Sequence, residues 1–171
     1  PQVVVGRKTS GGVLSPAAVG VSAGRPILAD IRFSAGGDEL YVVQSNPGGL
    51  LRIDTSIDPQ DGEPRGLAVA QVEVCAQPTS MVIYDDGDSR FGLVTCYRTA
   101  EVFIVELATL TVVGLARAGT GPDAMAVDLA REVVYVANSL DATISVIDMS
   151  PTRETRFTEL ARLGLQEPYT G

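Results

Sequence analysis

Between residues 121 and 148 the chain reads GPDAMAVDLAREVVYVANSLDATISVID, in which short apolar runs alternate with polar or small residues and are split by turn-forming positions. A period of two places successive side chains on opposite faces of a strand, the pattern of a half-buried sheet. The runs predict strands over Ala124–Leu129, Glu132–Asn138 and Thr143–Met149, with a fourth near Thr158–Leu163. Turn signals separate them at Ala130-Arg131, at Ser139–Ala142 and from Ser150-Pro151 onward. No helical period is evident.

The same unit recurs upstream. Aligned on Pro122, the segments RPILADIRFSAGGDELYVVQSNPGGLLRID and QPTSMVIYDDGDSRFGLVTCYRTAEVFIVE begin at Arg25 and Gln77, and a further start stands at Glu167-Pro168. The repeat prolines are therefore Pro26, Pro78, Pro122 and Pro168, with spacings of 52, 44 and 46 residues. That period, with four short strands per unit, is the length of a propeller blade. The second strands are expected at Leu40–Ser45 and Phe91–Tyr97, the third at Leu50–Thr55 and Val102–Leu107, and the fourth at Leu67–Val74 and Thr111–Ala118.

Pro122, Ala126-Val127-Asp128, Tyr135-Val136-Ala137-Asn138 and Val146-Ile147-Asp148 together resemble the YVTN-family β-propeller repeat. The two earlier copies depart from it: Tyr41-Val42-Val43-Gln44 and Leu93-Val94-Thr95-Cys96 replace the Tyr-Val-x-Asn motif, and Glu106 replaces the final Asp. The resemblance covers Arg25 to Leu165. It implies an all-β propeller of which about four four-stranded antiparallel blades are visible, within a ring of about seven. The expected divisions are a partial blade at 1–23, blades at 24–75, 76–119 and 120–164, and the start of another at 165–171. Residues 1–23 fit the second to fourth strands of a preceding blade, through Val3–Arg7, Gly12–Ser15 and Ala17–Ala23. A closed four-bladed ring, in which 168–171 complete the sheet begun by 3–23, is the competing arrangement.

Most of the repeated residues suit scaffold construction. Tyr41 and Tyr135 can fill space between neighbouring sheets, the small Ala126 lets inner strands approach, and Asn138, Asp54 and Asp148 are expected to hydrogen-bond loop backbone.

The 171 residues carry 21 acidic and 13 basic side chains, for a net charge of −8, which argues against nucleic acid or an anionic membrane as partner. Hydrophobic residues make up 45% of the chain, enough for a globular core, and no apolar run reaches the length of a membrane helix. A start at Pro1, with no signal-peptide layout after it, suggests a mature or partial product whose targeting segment lies upstream.

Chemistry is sparse in the sequence. There is no histidine, so His-based triads and His-ligated metals have no basis in this segment, and no cofactor is expected. Asp85, Asp86 and Asp88 offer oxygens to calcium, but they fall where a hairpin turn is required and lack the further ligands of an EF-hand loop, so no metal is assigned.

Similar propellers include lactonases, quinoprotein or haem-linked redox assemblies, and surface-layer proteins. By that resemblance the ligand side is the mouth formed by the loops from fourth strand to first and from second to third. It contains Arg25, Asn46, Gln77, Arg98, Asp123, Asp141 and Glu167. These are candidates for contact with a partner, although loops are polar in any case. The sequence thus suggests a non-catalytic recognition or scaffolding module at the periplasm or cell surface, meeting a protein partner or further blades at the two ends of the arc. A propeller domain of an enzyme is the alternative.

Cys75 and Cys96 are the only cysteines. In the repeat alignment Cys75 takes the place of Gly119 and Cys96 that of Asn138, both at strand ends running toward one face. A disulfide is expected there, implying an oxidising compartment; two separate buried thiols are the alternative.

Overall fold

The computed structural model describes residues 4–8, 14–18 and 27–164. They form no helix. The chain divides into two compact units, Pro1–Pro78 and Thr79–Gly171.

In the first unit β1 (Val4–Lys8) pairs antiparallel with β2 (Leu14–Ala18). β2 crosses the break expected between Ser15 and Ala17: Pro16, which cannot donate to a ladder, sits opposite Gly6 in what is, among the described residues, a two-stranded sheet. The rest of the fourth strand expected at Ala17–Ala23 lies outside the described residues. A four-stranded sheet follows, with β3 (Leu28–Phe33), β4 (Glu39–Ser45), β5 (Gly48–Asp54) and β6 (Leu67–Glu73) adjacent in chain order and antiparallel. Its central strands are the buried ones: Tyr41, Val43 and Leu50 are fully covered, and the Tyr41 hydroxyl donates to Glu39 Oε2 at 2.8 Å.

The second unit contains two further sheets of the same build. The first orders β7 (Pro78–Asp85), β8 (Arg90–Cys96), β9 (Glu101–Glu106) and β10 (Thr111–Arg117). The second orders β11 (Pro122–Asp128), β12 (Val133–Asn138), β13 (Thr143–Asp148) and β14 (Glu159–Gly164). All strands from β3 onward for which a range was expected begin and end within two residues of it, and every second strand pairs antiparallel with its third.

The two sheets of this unit share one core. Tyr84, Phe91, Leu93, Val102, Ile104 and Ala116 of β7–β10 meet Val134, Val136 and Ile147 of β11–β14, with Met125 and Val127 packed against them. The alternation decides the sides: in β12 Val134 and Val136 are fully buried, while Tyr135 is half-buried and Ala137 is exposed on the other face.

In the second unit the turns between second and third strands share a backbone. Ala100 and Ala142, each the last residue of its turn, adopt the left-handed conformation with φ of 57° and 51°. Asp54 and Asp148 do bind loop backbone, accepting from the N–H of Ser56 and Ser150 at 2.9 and 3.0 Å. Asn138 does not. Its Nδ2 donates to the hydroxyls of Thr143 and Ser145 at 3.0 and 2.9 Å, because its side chain lies flat across β13 rather than back over its own turn.

Candidate functional site

In the second unit the loops that join β10 to β11, β8 to β9 and β12 to β13 gather at one end of the sheets. At the β10–β11 connection, Gly121 has φ of 68° and its carbonyl accepts from both the N–H and the hydroxyl of Ser139, each at 2.9 Å. The Thr120 N–H donates to Asp141 Oδ2 at 2.7 Å, and the Thr143 hydroxyl donates to Asp141 Oδ1 at 2.6 Å. These two donors, Thr143 foremost, hold the Asp141 carboxyl below its ordinary pKa. Beneath them the Gly119 N–H donates to Ser145 Oγ at 3.0 Å, the hydroxyl that also receives Asn138 Nδ2. Asn138 Oδ1 is buried with no partner among the described residues.

A second polar cluster ties the inner strands of the two sheets. The Thr79 and Thr95 hydroxyls lie 3.0 Å apart, and they donate across the gap to the carbonyls of Pro122 and Asp123, each at 3.2 Å. Thr95 is fully buried, and its hydroxyl also meets the backbone of Ser80, accepting from the N–H at 3.0 Å and lying 3.2 Å from the carbonyl.

Among the sequence candidates of this unit, Arg98 and Asp123 are exposed at the loop end, and Asp141 is exposed but engaged by its own loop. In the first unit Asn46 and Gln77 are exposed. Asn46 precedes Pro47 in a turn whose peptide bond is cis, and Gln77 has a left-handed φ of 78°. Arg25 and Glu167 lie outside the described residues.

At the opposite end of the second unit the acidic hairpin is structural. Asp85 Oδ1 accepts from Gly87 N–H, and Asp86 Oδ1 from the N–H groups of Asp88 and Ser89. A polar depression of about 310 Å³ lies beside it, lined in part by Asp85, Asp88, Arg90 and Glu106. Among the described residues no group of three or more His, Cys, Asp or Glu side chains could hold a metal ion.

Asp86 also has a partner that the sequence did not reveal. Arg156 donates through its second terminal nitrogen to Asp86 Oδ2 at 2.7 Å, with its guanidinium carbon 5.1 Å from the Phe91 ring centre and 4.7 Å from that of Phe157. The two rings meet edge to face at 5.5 Å. A cation between two aromatic faces and a nearly buried carboxylate clasps the loop after β13 to the hairpin before β8. Nearby, burial opposes ionisation of Asp148, but the Thr155 hydroxyl, the Ser150 N–H and Arg153 outweigh it and keep the carboxyl below its ordinary pKa. On Tyr84, burial pushes the phenol up.

Cys75 and Cys96 are both disulfide-bonded, and as the only two cysteines they are bonded to each other. Among the described residues no helix is long and apolar enough to cross a membrane.

No family model and no curated protein matches the chain. Solved structures do. A candidate 6-phosphogluconolactonase of Bacteroides fragilis is 15% identical, with a TM-score of 0.66 over 92% of this chain and 43% of its own. A dihydro-haem d1 dehydrogenase is 13% identical, with a TM-score of 0.65 over 92% of this chain and 31% of its own. Hydrazine synthase of Kuenenia stuttgartiensis is 18% identical, with a TM-score of 0.62 over 85% of this chain and 39% of its own. The chain thus spans less than half the length of each of these proteins. At such identities the likeness concerns fold alone, and with three four-stranded antiparallel meanders on the page the fold is that of β-propeller blades.

Proposed function

We propose that the chain is a set of YVTN-type blades from a larger propeller of about seven, located in the periplasm or at the cell surface, where it serves as a scaffold and recognition module. The observation that carries this reading is how the polar side chains of the loop end are used. Asp141, Asn138, Ser145, Thr79 and Thr95 bind strand ends and turns to one another, which makes a rigid rim and leaves Arg98 and Asp123 at its exposed edge. A rigid rim with exposed charges suits docking of a protein surface. The disulfide supports an oxidising compartment.

The experiment is site-specific photo-cross-linking in the cell envelope of the source organism, with the cross-linker at position 98 or 123 and, as controls, at position 85 or 129. Capture of one discrete protein from 98 and 123 but not from 85 and 129 is expected. Equal capture from both ends would overturn the assignment of the loop end as the recognition face.

A second reading, the propeller domain of an enzyme, is favoured by the names of the similar structures, which include a candidate lactonase and a haem d1 dehydrogenase. Incubating the full chain with 6-phosphogluconolactone, and separately titrating it with haem, tests it. Turnover above the uncatalysed rate, or a shifted Soret band, would favour the enzyme.

A further inference from the structure

With 21 acidic side chains against 13 basic ones, carboxylates are available to every arginine. The arginines from Arg32 to Arg65 and from Arg131 to Arg162 each form an ion pair with one, at 2.6 to 3.9 Å, and Arg90 is also engaged. Arg98 and Arg117 differ. Both are exposed, and among the described residues neither has a hydrogen bond or an ion pair. They stand together at the loop end of the second unit, Arg98 in the turn from β8 to β9 and Arg117 as the last residue of β10. The Ala118 N–H donates to the Ala100 carbonyl at 2.9 Å, so one backbone hydrogen bond ties the end of β10 to the turn that carries Arg98.

The scaffold does not require arginine at either place. Counted from the ladders, the positions of Arg98 and Arg117 are held by Asn46 and Glu73 in the first unit and by Leu140 and Gly164 on β11–β14. All three copies form the same antiparallel meander, so what the two arginines add is charge. The carboxylates at this end of the unit leave that charge unanswered. Asp141 is occupied by Thr120 and Thr143, Asp123 lies in β11 on the side of Thr79 and Thr95, and Glu101, opposite Arg117 on the ladder, is half-buried and forms no ion pair with it. A guanidinium whose N–H groups are free matches a carboxylate, which it binds through two parallel hydrogen bonds.

We propose that Arg98 and Arg117 form a clamp for an acidic segment of the partner protein, one carboxylate to each guanidinium. This rests on the loop end being the recognition face, and it names the chemistry which that face reads. The net charge of −8 works against an acidic segment on the chain at large, so the two arginines decide where it binds.

Two measurements on the full chain test it. In the first, a hexaglutamate peptide is titrated into isotope-labelled protein at low salt, with hexaglutamine and inorganic phosphate as comparisons, and the arginine Nε–Hε signals are followed by NMR. Hexaglutamate is expected to shift Arg98 and Arg117 and to leave Arg131, paired with Asp128, unmoved. Arg98→Gln and Arg117→Gln should each weaken binding about threefold, and together about tenfold. Retention of the Cys75–Cys96 bridge by peptide mapping reports folding of the variants. No shift at either arginine, or equal shifts with hexaglutamine or phosphate, would overturn the proposal. In the second, the photo-cross-linker at position 123 is used in the cell envelope with and without the pair Arg98→Glu and Arg117→Glu. The native arginines are expected to give capture at a peptide carrying Asp or Glu beside the linkage, and charge reversal to lower that capture at least about tenfold. Undiminished capture after charge reversal would overturn the clamp alone and leave the recognition face standing. No capture even with the native arginines would remove both.

Discussion

Two stations in the chain do the same mechanical task with different chemistry. At Cys75, just past β6, and Cys96, the last residue of β8, the fastening is a disulfide. At Gly119 and Asn138, the equivalent pair, the fastening is polar: Gly119 N–H and Asn138 Nδ2 converge on Ser145 Oγ. The geometry explains why one chemistry can replace the other. A Cβ built on Gly119 would lie 2.6 Å from Asn138 Cγ, so the two chains approach closely enough that the slot takes either a glycine facing an amide or two short side chains joined to each other.

The largest effect that can break this comparison is removal of the bridge. Cys75→Ser with Cys96→Ser is expected to lower stability by about 3 kcal/mol, the value for a closed loop of roughly twenty residues. Thermal melts of the variant and of the reduced native chain should fall together; an unchanged melting temperature would mean that the disulfide fastens nothing. Next comes Gly119→Ala, whose methyl meets the Asn138 amide at 2.5 Å and Asp141 Oδ2 at 2.7 Å. Overpacking of this kind costs about 2 kcal/mol. Because the clash is with a side chain, Asn138→Ala in the same molecule should restore part of the loss, and denaturant melts of the single and double variants measure that coupling.

The two stations should also differ in their response to acid. Asp141 caps the Thr120 N–H at the polar station, and Thr99 occupies the corresponding place beside the disulfide. The folded pKa of Asp141 is depressed, so its contribution is present above the ordinary aspartate value of about 3.8 and is lost as pH falls through the lower folded value. Hydrogen exchange of the Thr120 amide should accelerate, relative to the intrinsic rate, only below about pH 4, and Asp141→Asn should remove that step. The smallest expected effect concerns the shared turn backbone. Ala100→Gly and Ala142→Gly each relieve a left-handed alanine and should raise stability by at most about 1 kcal/mol, equally at both stations. Unequal gains in matched melts would show that the two turns are not mechanically alike.

The strands were legible because a period of two and a proline at each unit start are local signals: β12 and β8 are written in consecutive residues. The disulfide was legible through the alignment of repeats, which placed Cys75 and Cys96 on the positions of a pair that meets elsewhere. Two kinds of feature were not. Asp141 reads from sequence as a free carboxylate at a loop tip, and an aspartate that receives its own loop's amide has the same sequence signature as one awaiting a ligand. Asp86 and Arg156 stand seventy residues apart with no periodic relation, so neither a hairpin aspartate nor a loop arginine announces the other.

That separation bears on how the molecule assembles. Each four-stranded sheet is one uninterrupted stretch of chain whose strands join in order, so its ladders close over short distances and can form while later residues are still being synthesised. The Arg156 clasp belongs to another class of event. It requires the hairpin at Asp86 and Phe91 and the loop at Phe157 to be complete beforehand, which makes it a late contact, absent while the sheets are nucleating. A contact of that kind acts on the lifetime of the finished pair of sheets rather than on the speed at which each arises: it is a latch that slows escape from the native state and does nothing to hasten entry.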